Sequence, residues 1–400
     1  MSDISGNRKG VTRFPDKAAR PKSRTERDTK LRPDNRIIIR EYDHIIFISA
    51  MLLVIFGLVM VFSASSYAAM HTDAGMFSFL ISQSVAAGLG FVGMIFAATF
   101  NYKMVARFSV PLYALAIFLL VLVLVMGEEG GGATRWLVLF GFNFQPSEVA
   151  KVAVIVMLAV FISKDTNRVN TIRGIIGCGF IIGLPVVLIT IGGNLSTVII
   201  ICAIGFMIVF LASPYFWRFL VVAGSGAAAV ALYIIFGEGF RVARISAWMD
   251  PFAYPTDVGF QTIQSLYAVA SGGPFGLGFG NSIQKRYFLP EAQNDFIFAI
   301  IVEELGLFGA SIVLFLFGVL VWRGMRVAMN SRSTLGCLMA TGIVTMIAVQ
   351  VIINVGVVTN TIPNTGIPLP FISFGGTALA VMMTAVGVLL NISRYPKTKS

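Results

Sequence analysis

Charge is what this sequence has least of. Asp, Glu, Lys and Arg make up 12% of its 400 residues, about half the share of an average soluble domain. Histidine is nearly missing, with only His44 and His71, far apart. The three cysteines, Cys178, Cys202 and Cys337, are an odd number inside apolar runs, and no C-x-x-C exists. These shortages exclude a thiol/imidazole zinc site and a disulfide framework, and leave the cysteines as small apolar filler. What the chain has instead is apolar side chain. Hydrophobic types reach 56% and the mean hydropathy is +0.84, more than a globular surface can hide. A cytosolic enzyme, a disordered chain and a coiled coil are excluded, and lipid is the expected solvent.

Residues 1–43 form a polar arm with 12 Lys/Arg, 7 Asp/Glu and three prolines. It lacks the apolar cluster needed to fold alone and does not read as a signal peptide. From His44 onward, apolar runs alternate with short polar breaks. Helices are expected at 44–66, 77–99, 108–126, 146–163, 174–192, 195–212, 217–236, 296–321, 335–358 and 373–391. At 1.5 Å per residue most can cross a hydrocarbon core of about 30 Å. The expected fold is an all-α polytopic membrane protein, residues 44–393. It has ten transmembrane helices, a large outer loop (237–295) between the seventh and eighth, and a short cytoplasmic tail (394–400). The Gly192–Gly193 link predicts a tight hairpin between helices five and six.

Charge distribution sets the orientation. With the amino terminus inside, cytoplasmic segments hold 24 of the 30 Lys/Arg. The outer loops keep only Arg135, Arg241, Arg244, Lys285 and Arg286, and Lys151 lies within a helix. This is the positive-inside pattern, with both termini cytoplasmic. The net charge of +11 is therefore a topology signal with no nucleic-acid partner implied. The arm suits anionic membrane lipid or a cytoplasmic partner. No internal repeat is visible.

Two outer loops are too long to be mere connectors, Gly127–Gln145 and Gly237–Asp295. The second carries Trp248, Phe252, Phe260, Tyr267, Phe275, Phe279, Tyr287 and Phe288, and is expected to fold back onto the membrane surface. Its glycine run, Ser271 to Asn281, lacks a Walker pattern and reads as tight turns with close backbone approach. Ionisable residues within spans are costly and point to function or to a structural pair. Glu148 and Lys151, three apart behind Pro146, share one helix face. Glu303 and Glu304 project in different directions, so at most one is expected to face a given site. Asp295 precedes an apolar run, where an acid, like Asn294 beside it, can simply cap the helix. It also has outer-face cations for company, an arrangement suited to a lipid-linked diphosphate.

Three stretches then resemble a known family: GGATRWLVLFGFNFQPSEVAK (131–151), GFQTIQSLYAVASGGPFGLGFGNSIQKRYFLPEAQNDFIFAIIVEELG (259–306) and NTGIPLPFISFGGTALAVMM (364–383). They resemble the SEDS proteins of shape, elongation, division and sporulation, ten-span bacterial membrane proteins, and the resemblance runs from about residue 40 onward. FSASSYAA and LPEAQNDFIFA look most like the division branch. The resemblance implies a peptidoglycan glycosyltransferase that polymerises lipid II. It makes Asp295 the essential acid, with Arg135, Glu148, Lys151, Arg244, Gln264, Lys285, Glu291, Glu304, Ser373, Gly375 and Gly376 as substrate-site residues. One departure stands out: where family members often carry PDLGT, this chain reads Gly193-Asn194-Leu195-Ser196-Thr197, so no acidic role is carried over there.

The implied chemistry is inverting transfer, with Asp295 deprotonating the acceptor GlcNAc 4-hydroxyl for attack on donor MurNAc and release of undecaprenyl diphosphate. Lys151, Arg135 and Lys285 are the candidate cations. The one cofactor this chemistry would admit is a divalent cation, magnesium or manganese. The implied partners are lipid II, a cognate class B penicillin-binding protein and other division proteins. The expected location is the bacterial cytoplasmic membrane at the septum. The competing readings are a lipid II flippase and a non-catalytic division scaffold.

Overall fold

The structure, a computed structural model, describes residues 41–70, 75, 77–130, 133–139, 142–213, 245–256, 259–286 and 288–397. The long helices are α1 (His44–Met70), α2 (Ser78–Thr99), α4 (Ser109–Met126), α5 (Pro146–Ser163), α6 (Ile172–Ile191), α7 (Leu195–Ala212), α9 (Ile297–Asn330), α10 (Thr334–Val358) and α11 (Gly376–Ser393). Short helices α3 (Tyr102–Arg107) and α8 (Phe260–Gly272) complete the set used here. Nine helices among the described residues are long and apolar enough to cross a membrane. They coincide with nine of the ten expected spans; the expected seventh, 217–236, lies outside the described residues, as does the arm up to residue 40.

Apolar residues cover most of each long helix, so packing sorts the helices by burial. Most of α10 is buried, whereas α4 is largely exposed. In a lipid solvent that makes α10 a central helix and α4 a peripheral one. The α6–α7 hairpin forms as expected. Gly193, at φ 78°, turns the chain, and Asn194 caps α7 by accepting the Thr197 N–H at 3.3 Å. Asn caps a helix as well as Asp does, so this start tolerates the lack of an acid.

Two features depart from the expected helical pattern. Residues 127–145 hold a three-stranded antiparallel sheet, β1 (Glu128–Gly130), β2 (Ala133–Leu139) and β3 (Phe142–Phe144). The helix expected at 296–321 instead runs to Asn330 and breaks at Gly306, whose φ of 69° no helix allows.

The glycine run repairs that break. Leu277 and Gly278 N–H groups donate to the Glu303 and Glu304 carbonyls at 2.9 and 3.0 Å. In return, Leu307 and Phe308 N–H groups donate to Gly273 and Pro274 carbonyls at 2.9 and 3.1 Å. Backbone groups freed at bilayer depth need protein partners, and this loop supplies them. The approach is close enough to demand glycine: a Cβ on Gly276 would lie 2.2 Å from the Glu304 carbonyl oxygen. Other described parts of the large loop also bond to the bundle. Trp248 donates to the Asn360 carbonyl at 3.0 Å, and Ser265 to that of Val358 at 2.9 Å.

Candidate active site

At the end of the bundle that carries the sheet and the large loop lies a cavity of about 720 Å³. Its wall takes in Arg135, Glu148, Lys151, Glu291, Asp295 and Gly375, gathered from β2, α5, the segment before α9 and the turn into α11. Pro146 opens α5 at a position where its missing N–H costs nothing, and Glu148 follows in the first turn, favoured by the helix dipole. Lys151, one turn on, meets Glu148 at 2.8 Å, both buried. The shared face read from the spacing is an ion pair.

Asp295 does not cap α9. The helix begins at Ile297, its cap position is Phe296, and no side chain bonds the first-turn amides. Asn354 donates to the Asp295 backbone carbonyl at 2.7 Å and to that of Ile367 at 2.7 Å, fixing the segment from α10. The Asp295 carboxylate is left half-buried in the cavity wall. Burial, and then the Glu291 charge, push its pKa up to about 6, against the opposing pull of Arg135. Burial lowers the Arg135 pKa, and its Nε has no partner among the described residues. Glu291 takes a left-handed backbone, φ 54°, and accepts from the Asn294 amide.

The expected Lys285 and Glu304 are elsewhere. Lys285 Nζ bonds Glu304 at 2.8 Å, Ser63 Oγ at 3.1 Å and the Gly280 carbonyl at 2.7 Å, all away from the cavity wall. Glu304 also accepts from Ser63 at 2.7 Å. Of Glu303 and Glu304 at most one is expected to face a given site, yet both bind this loop, Glu303 accepting from Ser282 Oγ at 2.5 Å and the Ile283 N–H at 3.0 Å. A buried lysine with one carboxylate and two oxygens has its donors filled, so it anchors the loop instead of facing a headgroup.

Gln264, on α8, is likewise not part of the cavity wall. Ser373 faces a small adjoining cleft, where its hydroxyl accepts the Leu369 N–H at 2.7 Å. Gly376 lines the main cavity. Arg244 lies outside the described residues.

Sequence reasoning missed three contributors. Buried Gln83 on α2 clasps the turn into α11, donating to the Ser373 carbonyl at 3.0 Å and accepting the Gly375 N–H at 3.1 Å. Gln350 on α10 lines the cavity while buried. The 194–197 segment, set aside for lack of an acid, supplies Asn194, Ser196 and Thr197 to the same wall. A lone amide inside an apolar span was the available signal for the two glutamines. Among the described residues no three His, Cys, Asp or Glu converge to hold a metal. The described residues therefore offer no all-protein cage for a divalent cation, and no step is routed through one.

Spanning helices around a cavity lined by carboxylates and cations define a polytopic membrane protein with a charged cavity at the bundle end. The model of the FtsW, RodA and SpoVE cell cycle proteins matches residues 43–398, and the chain belongs to that family. Stage V sporulation protein E of Bacillus subtilis is 40% identical over 89% of this chain and 98% of its own length. The probable peptidoglycan glycosyltransferase FtsW of Trichlorobacter lovleyi is 38% identical over 89% and 94%. Among solved structures, a chain from a peptidoglycan synthase complex that coordinates polymerization and crosslinking superposes with a TM-score of 0.74 at 27% identity, over 88% of this chain and 98% of that one. The rod shape determining protein RodA of Thermus thermophilus gives 0.65 at 26% identity, over 90% and 98%. The family and the apolar helices make this an integral protein of the cytoplasmic membrane.

Proposed function

We propose that this chain is a peptidoglycan glycosyltransferase that polymerises lipid II on the outer face of the cytoplasmic membrane, at the division septum. One observation carries the reading. Asp295 presents a carboxylate free of any helix cap, raised to about 6, in a cavity shared with Arg135 and Lys151. A base titrating near 6 is ionised at neutral pH yet still basic enough to take a hydroxyl proton in the transition state.

In this mechanism the acceptor GlcNAc 4-hydroxyl gives its proton to Asp295 as its oxygen attacks the donor MurNAc anomeric carbon. The bond from that carbon to the diphosphate oxygen breaks, and undecaprenyl diphosphate leaves with the electron pair. Arg135 and Lys151 counter the growing charge on the leaving group. Because the leaving group is a stabilised anion, a second acid is not required.

The relatives named as probable peptidoglycan glycosyltransferases support the substrate class. The likeness to a synthase complex that couples polymerization to crosslinking supports a class B penicillin-binding protein as partner. The division role rests on the FSASSYAA and LPEAQNDFIFA segments, since the sporulation and division relatives differ by only 40% against 38% identity.

The test is incubation of purified protein with labelled lipid II, with and without the partner. Glycan polymer is the expected product. Headgroup translocation in liposomes without polymer would instead make the chain a flippase.

A further inference from the structure

Polar side chains from several helices line the cavity. Asn354 holds the Asp295 backbone carbonyl. Gln350 lies four residues before Asn354 on α10, about 6 Å deeper along the helix axis. Lys151 also lies inward, five residues past the start of α5. Thr197 stands in the first turn of α7.

Gln350, Lys151 and Thr197, which share the cavity wall, are equipped for a ligand that the protein does not itself supply. Gln350 is 2% exposed, and its amide nitrogen is buried without any hydrogen-bond partner among the described residues. Buried amides are seldom left so. Among the described residues Lys151 Nζ is bonded to Glu148 alone, which leaves two of its three donors unused there. Among the described residues the Thr197 hydroxyl makes no hydrogen bond, only its N–H being bound, and the positive end of the eighteen-residue α7 dipole opens beside it. Without an acid at 193–197 this wall is neutral. Lys151 shares its charge with Glu148, and it is its two spare N–H donors, the Gln350 amide and the α7 N-terminus that together suit an anion.

Resting on the glycosyltransferase reading, we infer that Gln350 and Thr197, with Lys151, form the subsite for the diphosphate of the donor lipid. The one-turn step from Asn354 to Gln350 matches the substrate: sugar beside Asp295, diphosphate one turn inward, polyprenyl chain beyond. Val85 and Leu89 line the same cavity while 46% and 65% exposed, so an apolar exit lies alongside. Gln350 then acts by positioning the leaving group.

The test is equilibrium binding of undecaprenyl diphosphate and of undecaprenol to the purified full-length protein. Gln350→Met keeps length and volume and removes the amide. It should weaken undecaprenyl diphosphate at least fivefold and leave undecaprenol within twofold. Gln350→Glu, which turns a carboxylate toward the phosphates, should weaken the diphosphate further. Thr197→Val carries the same expectation from α7 if Gln350→Met does not accumulate. A loss under fivefold, or an equal loss for both lipids, overturns the subsite. A parent that shows the Gln350-dependent binding but makes no polymer would overturn the glycosyltransferase reading and leave the subsite standing.

Discussion

Lys285 and Glu304 are joined at 2.8 Å inside the protein, and Ser63 of α1 closes the triangle at 3.1 and 2.7 Å. The bond ties the large loop to two helices and withdraws both charges from the cavity. Removing one partner of a buried pair costs about 3–5 kcal/mol, mostly through the stranded charge. Lys285→Met should therefore lower the thermal unfolding midpoint. Lys285→Met/Glu304→Gln should recover most of it, because no charge is left unpaired. Polymerisation per folded molecule should survive in the double variant. A folded double variant without activity would return Lys285 to the substrate.

The Glu148–Lys151 pair should behave in the opposite way. Lys151→Met strands Glu148 and should reduce both folded protein and polymerisation. Adding Glu148→Gln should restore the unfolding midpoint but not the rate, since the leaving group still lacks its cation. Recovery of rate along with stability would make the pair purely structural.

The pH profile reports on Asp295. Its carboxyl is raised to about 6, and the base must be ionised to act, so the rate should climb through pH values near 6 and level off above. Glu291→Gln removes a charge that raises this pKa and should move the limb to lower pH. Arg135→Gln removes the opposing cation and should move it higher. The stability sign follows from the same shift. A carboxyl raised from 3.8 to about 6 costs folding stability progressively as pH rises through that window, and the full cost is present above it. Asp295→Asn should thus unfold no earlier than the parent at pH 8. A limb that ignores both neighbours would separate the profile from Asp295.

Orientation is open to direct labelling. Cysteines placed at Ser271 and Ser400, in a background without Cys178, Cys202 and Cys337, should differ on intact cells. An impermeant thiol reagent should reach position 271 and not 400. Equal labelling of both would reverse or abolish the proposed sidedness.

Much of this was legible in the sequence. Long apolar runs gave the spans because lipid demands unbroken helices, and the i, i+3 spacing gave the Glu148–Lys151 pair. Partners far apart in sequence were not legible. Nothing local ties Lys285 to Ser63, so its sequestration was hidden and its charge was read as free. The small sheet escaped notice because its longest strand is the seven residues Ala133–Leu139. The Gly306 break was masked by the apolar run around it. Asp295 was ambiguous between cap and base until the helix start at Ile297 released it from capping.

The central claim is that Asp295 takes the acceptor proton, and Asp295→Asn tests it most directly. The amide is nearly isosteric but cannot accept that proton at neutral pH. Initial rates on labelled lipid II, with thermal unfolding followed on the same sample, should show a loss of about 10²–10⁴ in a folded protein. A variant that polymerises within a few-fold of the parent would contradict the account.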